Sequence, residues 1–162
     1  MLPLLSFFEE FDFDDDNKGL AGNWGAKTKR LGRKITVPFA FETKMSGIGD
    51  TGFHRWVWYR RAVTLPTDWR GQRVLLHFGA VDYQAIVWVN GQRAGEHEGG
   101  NTPFKLDITD YLDAAGENVI TVRADDPPED QALPRGKQFW LPKSRGIWYT
   151  RTTGIWQPVW LE

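Results

Sequence analysis

The stretch Tyr83-Gln84-Ala85-Ile86-Val87-Trp88-Val89-Asn90-Gly91 decides the fold class. Its apolar residues fall on both faces of an extended chain, which marks a strand covered on both sides and therefore central. Asn90-Gly91 is the preferred pair for a two-residue type I′ hairpin, whose central positions both need positive φ. Gln92 to His97 then reads as the returning strand.

Strand signals continue in both directions. Arg55 to Leu65 is rich in aromatic and β-branched residues. Gln72 to Phe78 places Val74, Leu76 and Phe78 on one face, and Asn118 to Ala124 turns Ile120 and Val122 inward. Phe104 to Ile108 is a further short strand. Ile155 to Leu161 closes the chain, and its Pro158, which has no N–H to donate, predicts an edge or bulged strand. The apolar start, Met1 to Phe8, reads as a first strand running on through Phe7 to Asp14, where Phe11 and Phe13 alternate with acids. Turn residues punctuate these runs at 67–71, 99–103 and 114–117. Helical periodicity is confined to a single turn near Ile108 to Leu112. About eight short strands with Gly and Pro between them predict an all-β sandwich or jelly roll. Two segments fit no strand: the Gly-rich, basic Lys18 to Gly52 and the Pro/Trp-rich Asp125 to Arg151. Loops this long are functional or disordered as a rule, and Trp140, Trp148 and Tyr149 argue against disorder in the second.

Composition bounds the rest. With 162 residues, one domain over 1–162 is expected, and a (β/α)8 barrel of about 250 residues does not fit. Apolar residues at 41%, charged residues at 25% and a net charge of −1 exclude a disordered or membrane profile and a nucleic-acid footprint. The absence of Cys removes thiol chemistry and Cys-ligated zinc. The N-terminus lacks a basic n-region and runs into Glu9-Glu10, so a cytoplasmic chain, or a piece of something longer, is expected.

Several motifs carry no chemistry. Gly47-Ile48-Gly49-Asp50-Thr51-Gly52 matches GxGxxG but leads into a strand rather than a helix, so no nucleotide cofactor is expected. Asp12, Asp14 and Asp16 imitate the start of an EF-hand loop, but Asn17 and Asn23 replace its Gly and its bidentate Glu; the segment reads as an acidic turn. His54, His77 and His97 lack zinc spacing, and no GxSxG elbow exists. No metal site is expected.

The run Phe78-Gly79-Ala80-Val81-Asp82-Tyr83 through Gly91 resembles a signature of the N-terminal sugar-binding domain of glycoside hydrolase family 2, which includes β-galactosidases, β-glucuronidases and β-mannosidases. His97-Glu98-Gly99-Gly100-Asn101-Thr102-Pro103-Phe104 is similar to the family's HxGGYTPF stretch, with Asn101 in place of Tyr. Trp58-Tyr59-Arg60-Arg61, Pro134-Arg135-Gly136-Lys137-Gln138 and Thr153 to Glu162 also fit, so the resemblance covers nearly the whole chain from about Leu5. It implies a galactose-binding-domain-like jelly-roll β-sandwich. In such enzymes this domain precedes an immunoglobulin-like domain and a catalytic barrel, and the barrel holds the two catalytic Glu residues. Where the galactosidase and glucuronidase branches carry an Asp six residues before the Gly of GI[WFH], this chain has Trp148.

The expected function is noncatalytic recognition of a β-glycoside or oligosaccharide, with the catalytic barrel of a parent enzyme as partner. An aromatic ring stacks on the apolar CH face of a pyranose and polar groups fix its hydroxyls. The expected carbohydrate-binding residues are Asp82, Tyr83, Arg135, Lys137, Gln138, Trp140, Trp148 and Tyr149; Trp58, Trp88 and Trp156 are assigned to structure. Two other readings stand beside this one. A small stand-alone glycosidase would draw a pair of carboxyls from Asp82, Glu96, Glu98, Asp125, Asp126, Glu129 and Asp130. A docking module without ligand would show a large apolar patch or form a homo-oligomer that covers one.

Overall fold

The computed structural model describes residues 2–3 and 8–162. In chain order the strands are β1 (Leu2–Pro3), β2 (Phe8–Phe13), β3 (Arg33–Ile35), β4 (Trp56–Thr64), β5 (Leu75–Phe78), β6 (Val81–Asp82), β7 (Gln84–Val89), β8 (Gln92–Glu98), β9 (Phe104–Asp107), β10 (Glu117–Asp125), β11 (Gly154–Ile155) and β12 (Val159–Leu161). The expected strands correspond to β1 with β2, to β4, β5 and β7 to β10, and to β11 with β12; the short pieces β3 and β6 add to them. Of the expected N-terminal strand, residues 1 and 4–7 lie outside the described residues.

One sheet has the order β3-β2-β4-β10-β7-β8 and the other β1-β12-β5-β9; β11 and β6 form a separate two-stranded ribbon. All pairings are antiparallel. Alternation decides which side chains meet between the sheets. Val57 and Tyr59 of β4, Ile120 and Val122 of β10, and Val87 and Val89 of β7 face Leu76 and Phe78 of β5 and Val159 and Leu161 of β12 in one buried cluster. At the β7–β8 hairpin Asn90 has φ 52° and Gly91 φ 85°, as a type I′ turn demands. The single-turn expectation is met by a 3-10 turn at Thr109–Tyr111.

The far face of the larger sheet is also covered. Trp58 is fully buried, and Trp88 stacks on it at 5.2 Å while Trp24 leans in at 5.8 Å. The segment supplying Trp24 is the Gly-rich stretch that the sequence leaves without a strand. It contains β3 and otherwise wraps this face, held by two buried acids. Asp14 accepts from the Trp58 indole at 3.0 Å and from the amides of Lys18 and Gly19. Glu10 accepts from Arg60 at 2.8 Å and from the amide of Leu31 at 2.7 Å. Asp12 takes Gly32 and Arg33 instead, and Asp16 takes the Lys18 ammonium, so each of the three acids of the EF-hand-like turn is engaged by protein donors.

Pro158 is corrected by the structure. The closing stretch is broken into β11 and β12 by residues 156–158, and β12 is flanked on both sides, by β1 and β5. The proline sits in the break, where no ladder bond is asked of its nitrogen.

Candidate functional site

Residues 126–153 leave the larger sheet at the end of β10 and return at β11. This segment is an ordered aromatic loop, and its tip, the tight reversal between Arg145 and Trp148, makes it a hairpin. Gln138 pairs with Tyr149 in a parallel bridge and Arg145 with Trp148 in an antiparallel one; the Phe139 amide donates to the Tyr149 carbonyl at 2.8 Å, and the Tyr149 amide donates to the Lys137 carbonyl at 3.0 Å. Gly146, at φ 60°, makes the reversal.

The root of the hairpin is polar and buried. The Gln138 amide nitrogen donates to Asp82 at 2.8 Å, and its carbonyl oxygen accepts from the Thr152 amide at 2.7 Å. Thr153 donates its hydroxyl to Asp126 at 2.8 Å. Arg151 donates to the Thr51 and Gly52 carbonyls, and its guanidinium lies 4.0 Å from the Phe53 ring centre. Arg135 donates to the carbonyls of Pro127, Pro128 and Asp130.

Three carboxyls share this interior. Burial pushes Glu42 up to about 8, against the Thr153 groups and Arg151, which favour its charged form. Neither Glu42 oxygen makes a well-formed hydrogen bond. Asp82 is pushed up to about 7, first by burial and then by the nearby charge of Asp126, while Gln138 and Arg135 pull it down. Asp126 is raised chiefly by burial, against Thr153, Arg135 and Arg151. Burial raises the Tyr59 phenol too, with Glu42 adding to the effect.

Above the root the hairpin is aromatic. Phe139, only 7% exposed, is the base. Trp140 meets it edge-on at 4.9 Å, Trp148 lies parallel to it at 6.2 Å, and the two indoles are 5.6 Å apart. Trp140 is 44% exposed and Tyr149 50%. Beside them Phe139, Leu141, Pro142, Lys143, Ser144 and Arg145 line an open cavity of about 410 Å³.

The expected site residues therefore separate into two groups. Trp140, Trp148, Tyr149 and Lys137 come together on the hairpin, three of them well exposed and Trp148 half-buried. Asp82 and Gln138 are brought together beneath it, out of solvent, rather than at a rim, and Arg135 spends its donors on loop carbonyls. Tyr83 is half-buried and faces a different, smaller cleft with Arg55, Gln84 and Glu98. The sequence reading missed Phe139, Glu42, Arg151 and the cations Lys143 and Arg145. Phe139, between two candidates, carried the one available signal. Trp156 donates its indole N–H to the Gly100 carbonyl at 2.8 Å, a structural bond.

Four of the seven carboxyls that a stand-alone hydrolase could draw on are already engaged. Asp82 and Asp126 are buried on Gln138 and Thr153, Asp125 is held by Arg55 at 2.7 Å, and Glu96 by Arg93 at 2.7 Å. The histidines are engaged as well: His54 binds Asp15 and stacks on Phe13, His77 stacks on Trp160, and His97 stacks on Phe104. Among the described residues no helix is long and apolar enough to cross a membrane.

Fold and site together define a jelly-roll β-sandwich with a preformed aromatic platform at one end. Residues 51–142 match the sugar-binding domain of the glycosyl hydrolases family 2, and the chain belongs to that family. It is similar to a β-glucuronidase from Paenibacillus borealis, 31% identical over 139 residues that make up 82% of this chain and 22% of that protein. A β-galactosidase from Thermoanaerobacter pseudethanolicus is 33% identical over 129 residues, 78% of this chain and 16% of its own length. Among solved structures, Lactobacillus rhamnosus β-glucuronidase superposes with a TM-score of 0.67 at 27% identity, covering 76% of this chain and 21% of that one. The chain thus spans about a fifth of the length of these relatives.

Proposed function

We propose that this chain recognises the sugar for a family 2 glycosidase acting on β-glycosides, and that the Trp140–Trp148 platform is the surface that meets it. The observation that carries this reading is the exposure of Trp140 on a hairpin whose root is tied down by Gln138, Thr153, Arg135 and Arg151. An indole left in water at 44% exposure on an ordered element is available for stacking on a pyranose face. Tyr149 and Lys137 stand on the same hairpin as polar neighbours. Asp82, Gln138 and Arg135 contribute by holding the hairpin in place. Hydrolysis belongs, in this reading, to a catalytic barrel elsewhere in the parent enzyme, as the coverage of the relatives suggests.

The test is a titration of mono- and oligosaccharides against the indole N–H signals. Trp140 and Trp148 signals should move at millimolar sugar while Trp58 stays still. Unmoved loop indoles would refute the platform.

A docking role is favoured by a different observation. Leu141 and Ile147, 49% and 68% exposed, border the platform and offer apolar area to a second domain. Protection of Leu141 and Ile147 amides in a longer enzyme, compared with this chain, would support that role.

A further inference from the structure

The Gly-rich cover of the larger sheet carries a one-sided run of charge. From Asn17 to Phe41 the sequence contains Lys18, Lys27, Lys29, Arg30, Arg33 and Lys34 and not one acid, in a chain whose net charge is −1. The acids that meet these cations come from β2 and the turn after it, and each is already engaged. Glu10 serves two guanidiniums at once, Arg60 at 2.8 Å and Arg30 at 2.7 Å. Asp12 meets Arg33 at 3.3 Å and Asp16 meets Lys18 at 2.6 Å. Lys34 is exposed and has no acid partner among the described residues.

These cations gather along a strand edge. β3 is the last strand of the larger sheet, paired with β2 on one side and with no described strand on the other. An open groove of about 810 Å³ follows it. Arg30, Arg33, Lys34 and Arg61 line the groove, Leu31 and Ile35 supply its apolar lining, and Glu10 is its one acid among the described residues. A free strand edge presents N–H and C=O groups at the spacing of another extended chain. The side chains decide which chain is admitted. The β3 of a second copy would bring Arg33 and Lys34 against their own kind, and like charges across a ladder repel. An acidic segment meets opposite charge at the same positions. Alternation would turn every second side chain of that segment towards the apolar lining.

We propose that the groove along β3 is a docking site for an extended acidic segment of a partner protein, which adds to the sheet edge as a further strand and sets its carboxylates against Arg30, Arg33 and Lys34. The site shares no residue with the aromatic hairpin and is independent of the sugar reading.

The test titrates the intact chain with a capped peptide of roughly seven residues alternating Glu and Val, about 23 Å long when extended, and follows backbone amide signals. The Arg33, Lys34 and Ile35 signals should move and saturate, while the Trp140 and Trp148 indoles stay still. Affinity should fall severalfold at about 0.5 M NaCl. K34E, at an exposed position, should weaken the peptide roughly threefold to tenfold. Two further peptides, N-methylated at alternate amides in the two possible registers, keep the charge and differ in the ladder. The one methylated on the side facing β3 should bind about fivefold more weakly or worse. Unmoved β3 amides, or binding indifferent to K34E, would overturn the proposal. Undiminished binding of both methylated peptides, with a heparin tetrasaccharide competing at the same amides, would also overturn it, because the groove would then hold any polyanion and not a strand.

Discussion

Gln138 and Asp82 lie 56 positions apart, yet the amide nitrogen of one rests 2.8 Å from a carboxyl oxygen of the other, both out of solvent. The other end of the same amide holds the Thr152 N–H. One side chain therefore fastens both arms of the aromatic hairpin to the ribbon formed by β6 and β11.

Removing that side chain strands two polar groups. Q138A leaves the Asp82 carboxyl and the Thr152 amide buried without partners, and should lower unfolding free energy by about 1–3 kcal/mol. Q138E adds a further carboxyl beside Asp82 and Asp126. Its loss should be larger at pH 8 than at pH 5, where the carboxyls are more fully protonated. Urea midpoints at both pH values check this; equal losses for Q138E at the two would contradict it.

The raised carboxyls set the direction of the pH dependence. Glu42 at about 8 and Asp82 at about 7 lie above their unfolded values, so the folded state holds more protons across the interval between. Their contribution is complete below the ordinary carboxylate range and is lost as pH rises towards 8. Asp107, drawn down to about 2 by its bonds with Thr109 and Arg73, has the opposite sign but loses its contribution only as pH falls below the ordinary carboxylate range. Denaturation midpoints should therefore decline from pH 5 to pH 8.5. E42Q, with no proton to lose, should make that decline shallower. A rise over this interval would be incompatible with the buried acids as described.

Gly154 opens β11 at φ 77°, and a Cβ there would overlap the Tyr59 hydroxyl, which accepts from the Ile155 amide at 3.2 Å. Steric overlap and left-handed strain act together, so G154A should destabilise by about 2–4 kcal/mol. A thermal unfolding shift of less than a few degrees would mean that the ribbon relaxes more easily than its burial suggests.

Trp140 should separate binding from stability. Its exposure limits the stability cost of W140A to about 1 kcal/mol or less. Sugar-induced shifts of the remaining Trp148 signal should weaken severalfold or vanish. A large drop in melting temperature would recast Trp140 as a packing residue.

The strands and the Asn90-Gly91 hairpin were readable because alternation and turn chemistry are local. Val74, Leu76 and Phe78 announce a buried face wherever the partner sheet lies. The cover over Trp58 and Trp88 was not readable, because Trp24 and its glycines follow no period. Asp82 shows the same limit at the site. Its position in a recognisable motif cannot tell whether the side chain points to solvent or inward; that depends on Gln138, far along the chain. Glu42, Asp126, Arg151 and Thr153 meet at the root from three separate segments, so no spacing signals their assembly. The aromatic character of the hairpin was plain from composition, whereas its internal order comes from long-range bonds.

The double bridging of the hairpin, Gln138 to Tyr149 and Arg145 to Trp148, also bears on kinetics. A surface already held in its binding geometry loses little conformational entropy when a ligand arrives. Association with this platform should accordingly run close to the rate set by collision and orientation, with no slow ordering step. Differences among sugars would then be expressed as residence times on the two indoles.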